Sequence, residues 1–477
     1  MNQLIQSFDT EANKTTTLNG MDVMKSSQSS IVDLFFSFGS NRNTPDNVLP
    51  LFNKAANENL DLAIRVALYG RDVRGGMGER EVFRRVIKLV ATSFPSAFKN
   101  TNLINKIVEV GRWDDLFVLF GTGAEKAVLD KIATALNDGD PLASKWMPRE
   151  KSSNKEIARK IRNHMGMSSK SYRKMLSRLT NVVEQKMSNN EWEDINYNHV
   201  PSVASARYQS AFMRHDPDGY QKWISSLEEN DGTAKVNANA IFPHDVIKSL
   251  SQGEERVAEQ QWKSIPDFVC DGVSFLPMID TSDSMGVGVA NGISAMDVSM
   301  GLGLYLAQRN KSDFKNRALS FSENPSWINF EGLSLKQAFV EMYQVDWGFN
   351  TDLVRAYREI LKVAVDNNVA QEDMPDVLLI LSDMQFDSAV LGGGIDENIR
   401  RDFEEAGYNV PVCLYWNLND YGTNTPVSYD QRGVVLVSGF SPAIMESVTS
   451  SDLENLTPIK MVLDAVDNER YNWQIQS

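Results

Sequence analysis

The stretch Ser274-Phe-Leu-Pro-Met-Ile-Asp-Thr-Ser-Asp-Ser-Met285 decides the fold of the second half of the chain. Its apolar run, residues 275–279, is typical of a buried strand, and it ends abruptly in carboxyl and hydroxyl groups. Asp280, Ser282 and Ser284 alternate, so one short loop can direct three oxygen groups to a point just past the strand. Hard divalent cations such as Mg²⁺ prefer oxygen ligands of this kind, completed by water. The carboxyl end of a buried strand is also where open α/β sheets place their ligand sites.

Two later elements extend this pattern. Thr351, in Gly-Phe-Asn-Thr-Asp, opens a helical pattern, and Asp383 ends a second apolar strand, Val-Leu-Leu-Ile-Leu-Ser-Asp. Combined with the Asp-x-Ser-x-Ser loop, they resemble the metal-ion-dependent adhesion site of von Willebrand factor A domains. In that family the two serines and the threonine ligate the metal ion, and the aspartates act mainly through bound water.

The resemblance therefore implies a divalent cation, Mg²⁺ above all. The matching residues are Asp280, Ser282, Ser284, Thr351 and Asp383. An alternative needs no metal ion, because short Asp/Ser loops often cap helices. In that interpretation Asp283 or Ser284 simply caps the helix that follows.

Length and composition limit the class of protein. A chain of 477 residues is too long for one hydrophobic core, and 42% hydrophobic with 23% charged residues is ordinary for a globular protein. There is no apolar run of about 18 residues and no signal-peptide pattern at the start, so we expect no membrane contact. Two cysteines, Cys270 and Cys413, cannot build a disulfide framework. We expect a monomer in a reducing cytoplasm.

The chain divides into three predicted parts. Residues 1–30 are polar and predict a flexible N-terminal arm. Residues 31–265 show helical periodicity and predict an all-α, HEAT-like repeat domain, with a return segment at 229–265, that can close into a ring. Residues 266–477 alternate strands and helices, which predicts a doubly wound α/β domain. Its strands are predicted at 275–280, 317–322, 326–330, 376–382, 410–416 and 433–438.

The segment 145–178 departs from the acidic average of the chain. It holds eleven basic residues against Glu150 and Glu156, a net charge of +9 in a chain whose net charge is −15. Trp146 and Tyr172 are interleaved with the cations, as a surface that grips phosphates and stacks bases requires. The predicted RNA-binding residues are Lys145, Arg149, Lys151, Lys155, Arg159, Lys160, Arg162, Lys170, Tyr172, Arg173, Lys174 and Arg178. The alternative is a solvated helix face, which is what most charge runs form.

Compact polar motifs lie between the predicted helices. Arg71-Asp-Val-Arg-Gly-Gly-Met-Gly-Glu-Arg80 is rich in glycine, but no strand precedes it and no Gly-Lys-Ser/Thr follows, so a phosphate loop is disfavoured. We expect a turn with Arg71, Arg74 and Arg80 at its rim. Gly111-Arg-Trp-Asp-Asp-Leu116 is a second turn into a helix.

These motifs together resemble the Ro ribonucleoprotein family, and more closely a set of Ro-like proteins of phages, bacteria, plants and large viruses. The resemblance covers residues 45–440, and it also rests on Lys-Trp-Met-Pro-Arg-Glu at 145–150, Gly-Met-Ser-Ser-Lys-Ser-Tyr-Arg-Lys at 166–174, Pro-Ser-Val-Ala-Ser at 201–205 and Phe-Met-Arg-His-Asp at 212–216. Ro proteins join a ring of helical repeats, the TROVE domain, to a von Willebrand factor A domain. They thread single-stranded RNA ends through the ring and bind small structured RNAs on its basic outer face.

The resemblance implies an RNA-binding protein that holds structured or misfolded RNA and single-stranded RNA ends. The alternative function is a protein-interaction scaffold whose metal site grips the carboxylate of a partner. We expect no enzymatic activity, because the four histidines lack a Ser or Cys partner in any catalytic motif. Asp280 and Asp383 could in principle orient a metal-bound water for hydrolysis, so a nuclease is the third and least favoured interpretation.

Overall fold

The computed structural model describes residues 11–17, 20–180, 182–229, 234–235, 241–251, 255–290, 292–321, 325–344, 353–386, 397–419, 424–450 and 453–474. A hairpin of β1 (Lys14–Thr16) and β2 (Asp22–Met24) comes first. A helical half follows, and an α/β domain, here called the C-terminal domain, begins at residue 275. Among the described residues, no helix combines the length and the apolar character that crossing a membrane requires.

The helical half runs from residue 30 to residue 264. Its helices are α1 (Ser30–Phe38), α2 (Val48–Arg71), α3 (Arg80–Ser93), α4 (Leu103–Val110), α5 (Glu125–Asn137), α6 (Pro141–Trp146), α7 (Lys155–His164), α8 (Ser169–Leu179), α9 (Val183–Ser188), α10 (Ser202–His215), α11 (Pro217–Glu229), α12 (Pro243–Ser251) and α13 (Glu255–Ser264).

These helices pack into two separate hydrophobic cores. The main core joins α1–α8 to the C-terminal domain without interruption. A smaller aromatic core, built on Tyr197, Phe212, Tyr220 and Trp223, joins α9–α11 to Val257 of α13. An all-α half is therefore observed, while a regular HEAT-like repeat stays a prediction.

The C-terminal domain is built on a six-stranded sheet. Its strands are β3 (Phe275–Asp280), β6 (Arg317–Phe321), β7 (Trp327–Asn329), β8 (Val377–Ser382), β9 (Val412–Asn417) and β10 (Val434–Ser438). They lie in the order β10-β9-β8-β3-β6-β7, and every neighbouring pair is parallel except β6 and β7. Each predicted strand is present to within two residues at either end. Except for the edge strand β7, in which Trp327 and Asn329 are exposed, these strands are largely apolar runs buried on both faces.

Helices alternate with these strands, and a small hairpin that the sequence did not predict follows β3. The hairpin is β4 (Gly288–Ala290) with β5 (Ile293–Ser294). The helices are α14 (Ala295–Arg309), α15 (Leu335–Gln344), α16 (Leu353–Asp366), α17 (Glu397–Ala406), α18 (Ile444–Ser450) and α19 (Pro458–Val466).

The C-terminal domain contacts the first helices of the helical half. The helix α1 is mostly apolar and buried on all sides, Asp33 and Ser37 included, and it packs against α2, β10 and α19. At the end of α1, two backbone segments of the chain approach each other so closely that a Cβ on Gly39 would lie 2.5 Å from the backbone nitrogen of Gly439. The C-terminal tail adds Arg470 and the Tyr471 hydroxyl, which donate to the buried Asp72 carboxylate after α2.

The same domain contacts the last helices of the helical half. The helix α12 packs against α14, where the backbone of His244 meets Gly301. From α13, the Trp262 indole donates to the Gln308 amide oxygen at 2.7 Å. Contact with both ends of the helical half is what a closed ring requires, and closure itself stays a prediction.

The described part of residues 1–30 differs from the flexible arm that its composition predicted. Met24 and Thr425 exchange backbone hydrogen bonds of 2.9 and 2.8 Å, and the Thr17 hydroxyl donates to the Phe386 carbonyl. Met21 and Val23 are buried. These hydrogen bonds and the two buried apolar side chains hold the hairpin against the C-terminal domain.

Candidate functional site

The first candidate site lies where β3 and β8 end. These strands are parallel neighbours, with Ile279 opposite Leu381, so Asp280 at the end of β3 comes close to Ser382 and Asp383 at the end of β8. The chain runs from β3 outward to β6 and then returns to β8 on the other side. The site therefore occupies a topological switch point, where open α/β sheets bind ligands.

Hydrogen bonds fix the first aspartate of this site. Asp280 accepts from the backbone N–H of Ser282 at 3.0 Å and from the hydroxyl of Ser382. The hydroxyl oxygens of Ser282 and Ser284 lie 3.1 Å apart. Sequence reasoning missed Ser382, although a hydroxyl at the last position of a buried strand is a signal that could have found it.

Two buried carboxyl groups share this small space. Burial raises the pKa of Asp280, and burial together with the Asp280 carboxylate raises the pKa of Asp383 to about 7. Within the described residues, the Oδ2 atom of Asp383 is buried without a hydrogen-bond partner, and neither carboxylate has an ion pair with a lysine or arginine. A bound proton or a bound cation would relieve the repulsion between two buried carboxylates, and serine hydroxyls beside them suit a hard cation.

The structure thus brings together four of the five residues that the sequence predicted for the metal site. Asp280, Ser282, Ser284 and Asp383 cluster, whereas Thr351 lies outside the described residues. Among the described residues there is no cluster of three or more His, Cys, Asp or Glu side chains that is arranged to hold a metal ion. Any cation at this site would depend on hydroxyl ligands and water as well as on the two aspartates.

The second candidate site is the basic segment (residues 145–178), which spans α6, α7 and α8. Several of its cations are engaged within the protein: Arg159 with Glu156 at 2.7 Å, Lys160 with Glu125 at 2.8 Å and Arg162 with Glu150 at 2.9 Å. Others are exposed and make no ion pair with any described residue. These are Lys151, Lys155, Lys170, Arg173, Lys174 and Arg178.

Four of the exposed cations form one face of α8. Lys170, Arg173, Lys174 and Arg178 follow the three-and-four spacing of a helix face and span about 12 Å along its axis. Opposite them, Tyr172, Met175 and Leu176 are buried in the main core. We call the four cations the basic face of α8.

The two aromatic residues of the segment do not serve as a base-stacking surface. Tyr172 is 1% exposed, and its hydroxyl donates to the carbonyl of Pro148, which corrects its assignment as an RNA-stacking residue. Trp146 is half-buried, with the Arg112 guanidinium 4.0 Å and the Lys145 ammonium 5.7 Å from its ring centroid. Arg149 is half-buried beside Thr180.

Comparisons with known proteins match both halves of the chain. Residues 124–271 match a domain of unknown function, DUF2828, and residues 274–469 match a domain of unknown function, DUF7788. The uncharacterized protein L728 of Acanthamoeba polyphaga mimivirus is 27% identical over 512 residues, which cover 96% of this chain and 88% of the viral protein. The boundary between the two matched domains falls just before β3, where the helical half gives way to the sheet.

Among solved structures, the chain is similar to the RO (RSR) protein of Deinococcus radiodurans. The TM-score is 0.45 and the sequence identity 13%, covering 87% of this chain and 93% of that chain. A likeness at this level does not supply a function, which has to come from the residues of this chain.

Proposed function

We propose that this protein binds RNA through the basic segment, as the resemblance to Ro ribonucleoproteins implies. The observation that carries the proposal is the basic face of α8. Its four cations are exposed and unpaired within the described structure, although the chain as a whole is acidic with a net charge of −15. Like charges at helical spacing destabilise a helix, so their concentration on one face favours a polyanionic partner.

The form of RNA follows from the absence of a base-stacking ring on this face. With Tyr172 buried and Trp146 covered by Arg112, the basic face of α8 offers charge and hydrogen-bond donors alone. Such a face binds phosphates and 2′-hydroxyls, which are regularly spaced in structured RNA. We therefore expect affinity for helical RNA with little sequence preference.

Charge reversal tests the proposal. Replacing Lys170, Arg173, Lys174 and Arg178 by Glu should eliminate binding of an RNA hairpin measured by fluorescence anisotropy. A matched control carries the same change of charge elsewhere, at the exposed Lys99, Lys222, Lys263 and Lys315. The control should keep more affinity than the α8 variant at the same salt concentration. Equal affinity in both variants would show that only net charge matters and would refute a localised site.

The second candidate function is a metal-dependent contact with the carboxylate of a protein partner. It is favoured by the unpartnered Oδ2 atom of Asp383 beside Asp280, Ser282 and Ser284. We propose a von Willebrand factor A-like site in which Ser282, Ser284 and Thr351 bind Mg²⁺ or another divalent cation, with Asp280 and Asp383 in support. A bound cation would supply a Lewis-acidic position open to an oxygen ligand.

Binding rather than catalysis is the role that we propose for this site. Mg²⁺ titrated by calorimetry into the wild type and Asp383→Asn tests it, because the amide keeps the shape of the side chain and removes its charge. We expect measurable affinity in the wild type and a loss in the variant. No heat of binding in the wild type would leave the RNA proposal intact and eliminate the metal site.

A further inference from the structure

Arg149 differs from the other arginines of the helical half that are partly or fully buried. Each of the others lies within 2.9 Å of a carboxylate oxygen, as Arg84 does with Asp114 and Asp115. Those arginines are Arg42, Arg65, Arg71, Arg84, Arg112 and Arg162. Arg149 has no ion pair with any residue that the structure describes.

The guanidinium of Arg149 is incompletely satisfied as well as unpaired. Its Nη2 atom donates to the Thr180 hydroxyl at the long distance of 3.4 Å, and its Nη1 atom is buried without a partner in the described structure. The Thr180 hydroxyl lies 2.8 Å from the Ser144 hydroxyl. Burial lowers the pKa of Arg149, as expected for a cation that has lost water without gaining a carboxylate.

The surrounding chain holds Arg149 in a fixed place. Met147 ends α6 with a backbone hydrogen bond to Ala143, and the Pro148 carbonyl accepts from the buried Tyr172 hydroxyl. The next residue, Glu150, is turned to other partners, Arg162 and Ser169. The backbone just before Arg149 is thus fixed, and the neighbouring carboxylate does not compensate the charge of the guanidinium.

This arrangement is costly unless an anion completes it. Removing a cation from water without a counter-charge is unfavourable, and every comparable arginine of the helical half has a carboxylate. A guanidinium offers two parallel N–H donors that match the oxygens of a phosphate.

We propose that Arg149 forms a phosphate-binding subsite, in which the Thr180 hydroxyl accepts from its Nη2 atom and itself donates to the Leu176 carbonyl at 2.6 Å. The subsite depends on the proposed RNA binding in one respect: its ligand would be a phosphate of an RNA that lies along the segment 145–178. Free inorganic phosphate has the same recognised chemistry and serves as the probe.

Thermal unfolding in phosphate and in chloride at equal ionic strength tests the subsite on the full chain. Phosphate should raise the Tm of the wild type and of the fourfold α8 reversal by more than it raises that of Arg149→Gln, because its general exclusion from protein surfaces acts on all three proteins alike. In chloride, Arg149→Gln should not lower the Tm, because it removes an uncompensated charge, whereas the control Arg162→Gln, which breaks an ion pair with Glu150, should lower it. Equal phosphate shifts in the wild type and Arg149→Gln would overturn the subsite. A Tm loss in Arg149→Gln as large as that in Arg162→Gln would mean a structural role and would also overturn it.

RNA binding separates this inference from the proposed function. We expect Arg149→Gln to weaken binding of an RNA hairpin about tenfold, on the scale of one charge-assisted hydrogen bond. If Arg149→Gln keeps full RNA affinity while the α8 reversal loses it, the subsite is wrong and RNA binding stands. If the wild type binds no RNA but its phosphate shift depends on Arg149, RNA binding is wrong and the subsite stands.

Discussion

Two groups of arginines in the helical half show how the chain separates structural charge from functional charge. Around Asp115, the Nε atoms of Arg71 and Arg84 both donate at 2.8 Å, and Arg112 adds its backbone N–H at 2.9 Å. On α8, Arg173 and Arg178 extend into solvent without any ion pair among the described residues. The same side chain therefore holds the fold where it is paired and is available to a partner where it is not.

The difference has an energetic basis. A buried ion pair gives little net stability over an apolar replacement, but removing one partner leaves a charge that the interior cannot solvate. An exposed cation is hydrated, so it can be left unpaired at little cost and can later exchange its water and counterions for phosphate. Ion pairing inside the protein, rather than residue type, therefore separates these two groups of arginines.

The largest effect is expected from removing the shared carboxylate of the paired group. Asp115→Asn leaves the buried Arg71 and the half-buried Arg84 without their main counter-charge, and the free energy of unfolding should fall by about 3–5 kcal/mol. Chemical denaturation measures it. The control is Glu156→Gln, which removes an exposed pair with Arg159 and should cost less than about 1 kcal/mol. Similar losses in the two variants would invalidate the contrast between paired and exposed arginines.

The sequence predicted the turns around Asp115 but not the ion pairs that the arginines of these turns make with it. The prediction that Arg71 lies at the rim of its turn was wrong, because Arg71 is 4% exposed and points inward to Asp115. A partner 44 positions away cannot be found from local spacing. Gly111 belongs to the same arrangement, since a Cβ there would lie 2.5 Å from the Asp115 Oδ2 atom.

His244 shows a second way in which the fold buries an ionisable group, by keeping it neutral. Burial against Phe440 and the Gly301 backbone lowers its pKa from 6.5 to about 4. The Asp245 and Asp297 carboxylates act in the opposite direction, and the cations Arg42 and Lys248 act in the same one. The unfolded chain takes up a proton near pH 6.5 and the folded chain only near pH 4. The free energy of unfolding should therefore fall by about 3 kcal/mol as the pH drops through this window.

Denaturation of the wild type and His244→Gln between pH 7 and pH 4 tests this prediction. The variant should lose less stability over the window by about the same 3 kcal/mol, since its side chain does not titrate. Parallel losses in the two proteins would show that other groups account for the acid sensitivity.

The metal site offers a smaller expected effect. Replacing Ser282 and Ser284 by Ala removes two hydroxyls from the end of β3 and should weaken Mg²⁺ binding at least about tenfold in calorimetry. Ser441→Ala, just after β10, is the matched control and should bind as the wild type does. Unchanged affinity in the double variant would contradict the metal site, and the helix-cap alternative is already wrong because Ser294, and neither Asp283 nor Ser284, caps the α-helix that follows.

The sequence predicted the elements of this site well and the aromatic residues of the basic segment poorly. Asp280, Ser282 and Asp383 were found because parallel strands bring their carboxyl ends to one edge of the sheet. Tyr172 was assigned to RNA because it lies among cations, yet it shares helical spacing with Met175 and Leu176 and belongs to their buried stripe. Giving this helical spacing more weight than the surrounding charge would have placed Tyr172 in the core.

The salt dependence of RNA affinity tests most directly whether the basic face of α8 binds phosphate. Arg173→Gln combined with Lys174→Gln removes two charges from this face and leaves the buried side of α8 untouched. Each cation that no longer neutralises a phosphate should flatten the slope of log affinity against log salt by about one unit, so the double variant should flatten it by about two. The wild type should show the steeper slope with any RNA hairpin, whatever its sequence. Equal slopes in the two proteins would contradict the proposal that this face binds RNA.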